Sequence, residues 1–380
     1  MAWIFLKAPL VFLILLSTSI SSSMATTLKF QAVKGGYWPS WDLNFPPSAI
    51  NTSYFTHIYY AFLSPNNVTF EFNVSNSETI GLRSFTSTLH NKNPPVKAIF
   101  SVGGAAEGAA LFSRMASKSS SRKNFICSSI KVARDFGFDG VDLDWEFPTT
   151  PNDMRNFGLL LHEWRAEAQK EARETGKAEI LIVAAVYYKA DIIGLGGPYR
   201  AYPISSIAKN LDWINAMCYD YKGSWDTSAT GAHAALFDPK GNLSTSYGLS
   251  SWIRAGLPQS KLIMGIPLYG KTWKLKDPRD YGIGSQAVGV GPGQNGQGTL
   301  TYAEVEAFNK ENDATVVHDV DTMSAYSFSG TSWIGYDDDW TSMVKVGYAQ
   351  GLGLRGYFFW AINGDYNWKV SRQASKIWVL

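Results

Sequence analysis

Residues 138–148 read Phe-Asp-Gly-Val-Asp-Leu-Asp-Trp-Glu-Phe-Pro. In a strand, successive side chains leave on opposite faces, so Asp142, Asp144 and Glu146 line up on one side and Val141, Leu143 and Trp145 on the other. Asp139 has the opposite parity and reads as a structural residue at the strand's start. The apolar spacers are strand formers, whereas a calcium loop wants Gly and polar spacers. Like charges a few Å apart in a poorly solvated place cannot all stay ionised, so at least one carboxyl must hold its proton towards neutral pH. An acid with an anion behind it is what glycoside hydrolysis needs: a proton for the departing oxygen, and negative charge for the cation that develops. Glu146 is therefore the candidate acid and Asp144 its charge partner. Asp142, deeper, shares a proton with Asp144.

Around this segment, short apolar runs recur at 32–38, 55–62, 96–103, 138–147, 179–188, 211–221, 261–270 and 354–362. Most are apolar throughout, as in strands covered on both faces of a parallel sheet. Helical patterns at 124–136, 153–175, 250–255, 340–350 and 370–378 fall between several of them. Eight strands alternating with helices predict an α/β fold, a (β/α)8 TIM barrel, with Glu146 at the C-terminal mouth where barrel enzymes act. The stretch 271–335 is too long for a simple crossover. Its Gly-rich, alternating texture predicts a small α+β, mainly β, insertion between strands 7 and 8, the barrel then comprising 25–270 and 336–380.

The 380 residues carry 34 basic and 32 acidic side chains, a net charge of +2. That balance excludes the basic field of a nucleic-acid binder, and 45% apolar residues exclude wholesale disorder. Residues 1–24 have one Lys, Lys7, an apolar stretch at 10–16 and a small-residue end at 21–23, the layout of a secretory signal peptide. The expected product is secreted and extracellular, with the vacuole as the other destination, free of the membrane after signal removal, and monomeric. Sequons at Asn51, Asn67, Asn73 and Asn242 are candidate glycosylation sites. Cys127 and Cys218, 91 residues apart, read as two free, largely buried thiols. No ligand spacing among the five His suggests a metal site, and no cofactor is expected.

The run Asp139 to Glu146 matches the Asp-x-x-Asp-x-Asp-x-Glu signature of family 18 glycoside hydrolases, and the mature chain resembles plant class V chitinases. Supporting matches are Gly36-Tyr37-Trp38, Ser101-Val102-Gly103-Gly104, Met217-Cys218-Tyr219-Asp220, Gly265-Ile266-Pro267-Leu268-Tyr269-Gly270 and Gly356-Tyr357-Phe358-Phe359-Trp360, in family order. The resemblance implies an endo-acting, substrate-assisted, retaining hydrolase of chitooligosaccharides, β-1,4-linked N-acetylglucosamine, in which the sugar's own acetamido oxygen is the nucleophile. It assigns proton donation to Glu146, orientation of the acetamido group to Asp144 and Tyr219, and sugar or acid binding to Asp220. Trp360 would form the floor under the sugar, with Tyr37, Phe62 and Tyr269 around it, Gly103 and Gly104 admitting backbone close to the sugar, and Ser101 in support behind them.

Two departures border the cleft. Lys222 stands where relatives usually carry an aromatic, which replaces a stacking platform with a charge. The segment 189–202 is longer than in typical plant relatives and contains Gly-Leu-Gly-Gly-Pro-Tyr. Both bear on substrate preference and leave room for a modified, lipid-bearing chitooligosaccharide. The rival reading is a chitinase-like lectin that binds N-acetylglucosamine-containing or other glycans without turnover. The intact Glu146 argues for the enzyme.

Overall fold

A computed structural model describes residues 32–293 and 296–378. The signal segment expected over 1–24, with 25–31, lies outside the described residues. Eight parallel strands close into a barrel in chain order: Val33–Pro39, His57–Leu63, Lys97–Gly103, Gly140–Asp144, Leu181–Tyr187, Trp213–Met217, Leu262–Pro267 and Gly356–Trp360, the last pairing with the first. Helices between the strands complete a (β/α)8 TIM barrel.

The strand alternation creates two separate cores. Outward side chains such as Val141, Leu143 and Trp145 join the layer between strands and helices. Inward ones, among them Tyr37, Tyr59, Ile99, Val183, Trp213 and Phe358, fill the barrel itself. Tyr37 and Tyr59 stack there with centroids 4.5 Å apart.

The helices start and stop on local chemistry. Pro151–Thr175 begins with a Thr150/Asp153 capping box and Pro at its first position, and ends at Gly176 in the left-handed region, whose N–H bonds the Ala172 carbonyl. The helix Asn76–His90 escapes the sequence reading because its Ser, Thr and Gly are weak helix formers. A Ser75/Glu78 capping box and burial of Leu82, Phe85 and Leu89 on one face hold it in place.

Two strand ends differ from expectation. The fourth strand stops at Asp144 and the sixth at Met217, so Glu146 and Tyr219 sit on the segments leaving the barrel. Pairing runs out there: Gly103, the partner of Asp144, is the last residue of the third strand. The run expected as one strand over 261–270 divides at Leu268 into the seventh barrel strand and Tyr269–Leu275, which belongs to a second, antiparallel sheet. That sheet also holds Ala287–Val290, Thr299–Thr301, Thr315–Asp319, Ser324–Ser329 and Ser332–Tyr336, with the helix Tyr302–Glu311 among them and its own core of Trp273, Leu275, Tyr326 and Trp333. Cys218 is buried and Cys127 exposed, both free. Cys127 corrects the expectation of two buried thiols: Phe125, Ile126, Ser129 and Ile130 take the inner face of Ser119–Phe136 and leave it outside.

Candidate active site

At the C-terminal end of the barrel a cavity of about 360 Å³ is lined by Tyr37, Phe62, Asp144, Glu146, Tyr219, Asp220 and Trp360, together with residues the sequence did not single out. The acids occupy a graded series of environments. Asp142 is fully buried below the cavity, and its Oδ2 accepts hydrogen bonds from Ser101 Oγ at 2.6 Å and Tyr37 Oη at 2.8 Å. Burial pushes its carboxyl up to about 6, against the pull of these donors. Asp144 is buried and its Oδ1 lacks a hydrogen-bond partner. Burial first, then the charges of Glu146 and Asp142, drive its pKa well above the carboxylate range. Glu146 is half-buried at the mouth; burial and the charge on Asp220 raise it to about 7. A carboxyl there is poised to give a proton near neutrality.

Tyr219 faces the same space. Burial and the surrounding acids keep its hydroxyl protonated, so it has a hydrogen to donate to an acceptor held there. Asp220 lines the cavity wall with its side chain 44% exposed. Lys271 Nζ stands 3.3 Å and His233 Nδ1 3.8 Å from its Oδ1. Crowding by the protein raises its carboxyl, but His233, Lys271 and Tyr269 outweigh that and hold it below its ordinary value.

The aromatic residues separate into two roles. Trp360 gathers Tyr37, Phe62 and the exposed Trp41 around it, with centroids 5.5, 5.6 and 6.4 Å away. Tyr37 lines the floor, but its hydroxyl is committed to Asp142 and accepts from Asn215 Nδ2 at 3.0 Å. Tyr269 does not line the cavity; it stands behind Tyr219, ring centroids 6.2 Å apart. The space a Cβ on Gly104 would need is filled by the Phe62 ring 2.7 Å away. On Gly103, at φ +114°, it would strike the Asp144 carbonyl at 2.2 Å, so glycine is required where the third strand turns beside that acid.

Sequence reasoning missed the polar relay under the acids: Trp213 Nε1 donates to Tyr59 Oη, which donates to Asn215 Oδ1 at 3.4 Å. Parity offered a signal, since Asn215 is an amide on the inward face of an otherwise apolar strand. The far wall, formed by Phe147, Tyr187, Tyr188, Leu195, Met217 and Leu243, was also missed, because it comes from loops and strand ends. Lys222 does not act as expected: it pairs with Asp226 at 3.2 Å and stays out of the lining, while Tyr221 and Trp225 on either side line the cavity. Among the described residues no cluster of three or more His, Cys, Asp or Glu is arranged to hold a metal ion, and no helix is long and apolar enough to cross a membrane.

Residues 34–365 match the model of glycosyl hydrolases family 18. The chain belongs to that family. A Nod factor hydrolase protein 1 of Medicago truncatula is 50% identical to this family 18 chain over 91% of its length and 90% of the relative's. Two solved structures are similar along most of the chain. A class V chitinase from Nicotiana tobaccum is 42% identical, with a TM-score of 0.88 over 92% of this chain and 99% of that one. A chitinase-like agglutinin from Robinia pseudoacacia is 40% identical, with a TM-score of 0.82 over 92% of this chain and all of that one.

Proposed function

We propose that this family 18 hydrolase is a chitinase that cleaves β-1,4-linked N-acetylglucosamine oligomers internally, with retention at C1 and the substrate's acetamido group as nucleophile. The observation that carries the reading is the convergence of Asp144, a protonatable Glu146 and the Tyr219 hydroxyl on one cavity, with Asp142 below. Glu146 gives its proton to the glycosidic oxygen as the C1–O bond breaks. The acetamido oxygen forms a bond to C1, guided by the Tyr219 hydroxyl, and the proton of Asp144 passes to the neighbouring Asp142 carboxylate, leaving Asp144 charged to offset the positive charge of the cyclic intermediate. Water then opens it, with Glu146 taking the proton back as base.

Acylated chitooligosaccharides are the extension of the same activity. The apolar wall of Phe147, Tyr187, Tyr188, Leu195, Met217 and Leu243 suits a hydrocarbon chain, and a relative half identical in sequence is named for Nod factor hydrolysis. Export fits the segment at 1–24, with glycans on the exposed Asn67, Asn73 and Asn242; Asn51 is half-buried and its side chain caps a short helical turn. The deciding experiment offers chitin oligomers and acylated oligomers side by side and reads product lengths and the anomer first formed. β-anomeric internal products support the proposal. Binding without cleavage of either substrate would establish the lectin alternative instead.

A further inference from the structure

His233 is 1% exposed, lies between the sixth barrel strand and the helix Thr245–Arg254, and has no role in the steps above. Its Nε2 is 3.1 Å from the Tyr269 carbonyl oxygen. A carbonyl only accepts, so Nε2 carries hydrogen, and in a neutral ring Nδ1 would then be a bare lone pair. That Nδ1 is fully buried, has no hydrogen-bond partner and faces Asp220 Oδ1 at 3.8 Å. A bare lone pair on a buried Nδ1 facing a carboxylate oxygen is repelled by it; a proton on Nδ1 turns the contact into a charge-assisted attraction.

The backbone that carries the ring is held on both sides. The Tyr221 N–H donates to the His233 carbonyl at 2.8 Å, and the next carbonyl, of Ala234, accepts from Lys345 Nζ. Lys345 is itself buried and paired with Asp337 at 2.5 Å. The other groups facing Asp220 are Lys271 and Tyr269 from the second sheet, Tyr219 beside it in sequence, and Glu146 across the cavity. Lys271 also sits over the Tyr269 ring, 5.1 Å from its centroid.

We infer that His233 is a positioning residue: a proton on its Nδ1 holds the Asp220 carboxylate, ionised, in the cavity wall. The inference rests on the hydrolase reading, because it makes His233 act on the acid Glu146 through Asp220. It fits the depression of the Asp220 carboxyl below its ordinary value in spite of its crowded setting.

Two variants separate this role from mere packing. His233→Gln keeps a donor near the place of Nε2 for the Tyr269 carbonyl and loses the donor facing Asp220; His233→Asn does the reverse. With N-acetylglucosamine tetramer as substrate, His233→Gln should move the acidic limb of the kcat/KM–pH profile upward by about one unit, the low end for a close opposite charge. His233→Asn should move it less. Equal profiles for both variants, or rescue by Gln and not by Asn, would overturn the inference. Nitrogen NMR of the histidine rings in the intact protein, with His233 assigned from the Asn variant, needs no turnover and no folded Gln variant. A protonated Nδ1 between pH 5 and 7 supports the inference, and a bare one over that range overturns it whether or not the enzyme cleaves chitin.

Discussion

The fourth barrel strand and the residues flanking it carry four carboxylates, and the two ends treat them in opposite ways. At the start, Asp139 accepts from Lys97 Nζ at 2.7 Å, the Ala98 N–H at 2.8 Å and His90 Nε2 at 2.8 Å. Burial raises its pKa, but these partners win and hold it below the usual carboxylate value. At the other end no cation among the described residues pairs with Asp142 or Asp144, and both are raised. Seven positions thus separate a carboxylate that ties the third and fourth strands and a neighbouring helix together from an acid poised for proton transfer. The difference is one of compensation, not of residue type: a paired buried charge stabilises the fold, and an unpaired one stores a proton for chemistry.

Glu146→Gln should break the functional end most severely. Turnover of chitin oligomers is expected to fall by at least about 10²-fold, with oligosaccharide binding by calorimetry retained. Near-normal turnover in that variant would eliminate Glu146 as the acid. In the wild type, Glu146 must be protonated to act, so kcat/KM should decline as pH rises through about 7, the value to which burial and Asp220 raise it. A rate that stays flat from pH 6 to 9 would deny the acid its raised pKa.

Ser101→Ala removes one of the two hydroxyls on Asp142 and raises that carboxyl further. The acidic limb of the profile should shift upward by about half a unit to one unit, with a loss of rate of only several-fold. Tyr37→Phe should act in the same direction and lose more, since its hydroxyl also bonds Asn215.

Asp139→Asn is the smallest perturbation of activity and the sharpest test of the contrast. It should leave kcat/KM unchanged and cost about 1–2 kcal/mol of stability at pH 7 in denaturant titrations. The folded pKa of Asp139 is depressed, so its contribution is present above the ordinary value of 3.8 and is lost as pH falls through the folded value. The variant and wild type should therefore converge once the pH lies below that folded value. A stability gap that persists there would point to packing rather than charge.

The inward row of acids was legible because parity survives the end of strand pairing: Glu146 keeps its face although the strand stops two residues earlier. The barrel was legible from the spacing of apolar runs. The Asn76–His90 helix was not, because burial of three side chains overrides its weak local propensity. Tyr269 and Lys222 were misplaced for a related reason. Where a residue leaves a strand, its direction is set by what it packs against, and the sequence alone carries no such information.

What the sequence determined by itself was the alternation: which residues face inward, and that three of them are acids that cannot all ionise. Tertiary structure decided how each acid is compensated. Ser101 and Tyr37 reach Asp142 from other strands, no donor among the described residues reaches Asp144 Oδ1, and Lys271 and His233 meet Asp220 from the second sheet and from further along its own connection. Charge in a low-dielectric interior depends on every neighbour within a few Å, and those neighbours come from positions about a dozen to more than a hundred residues away along the chain.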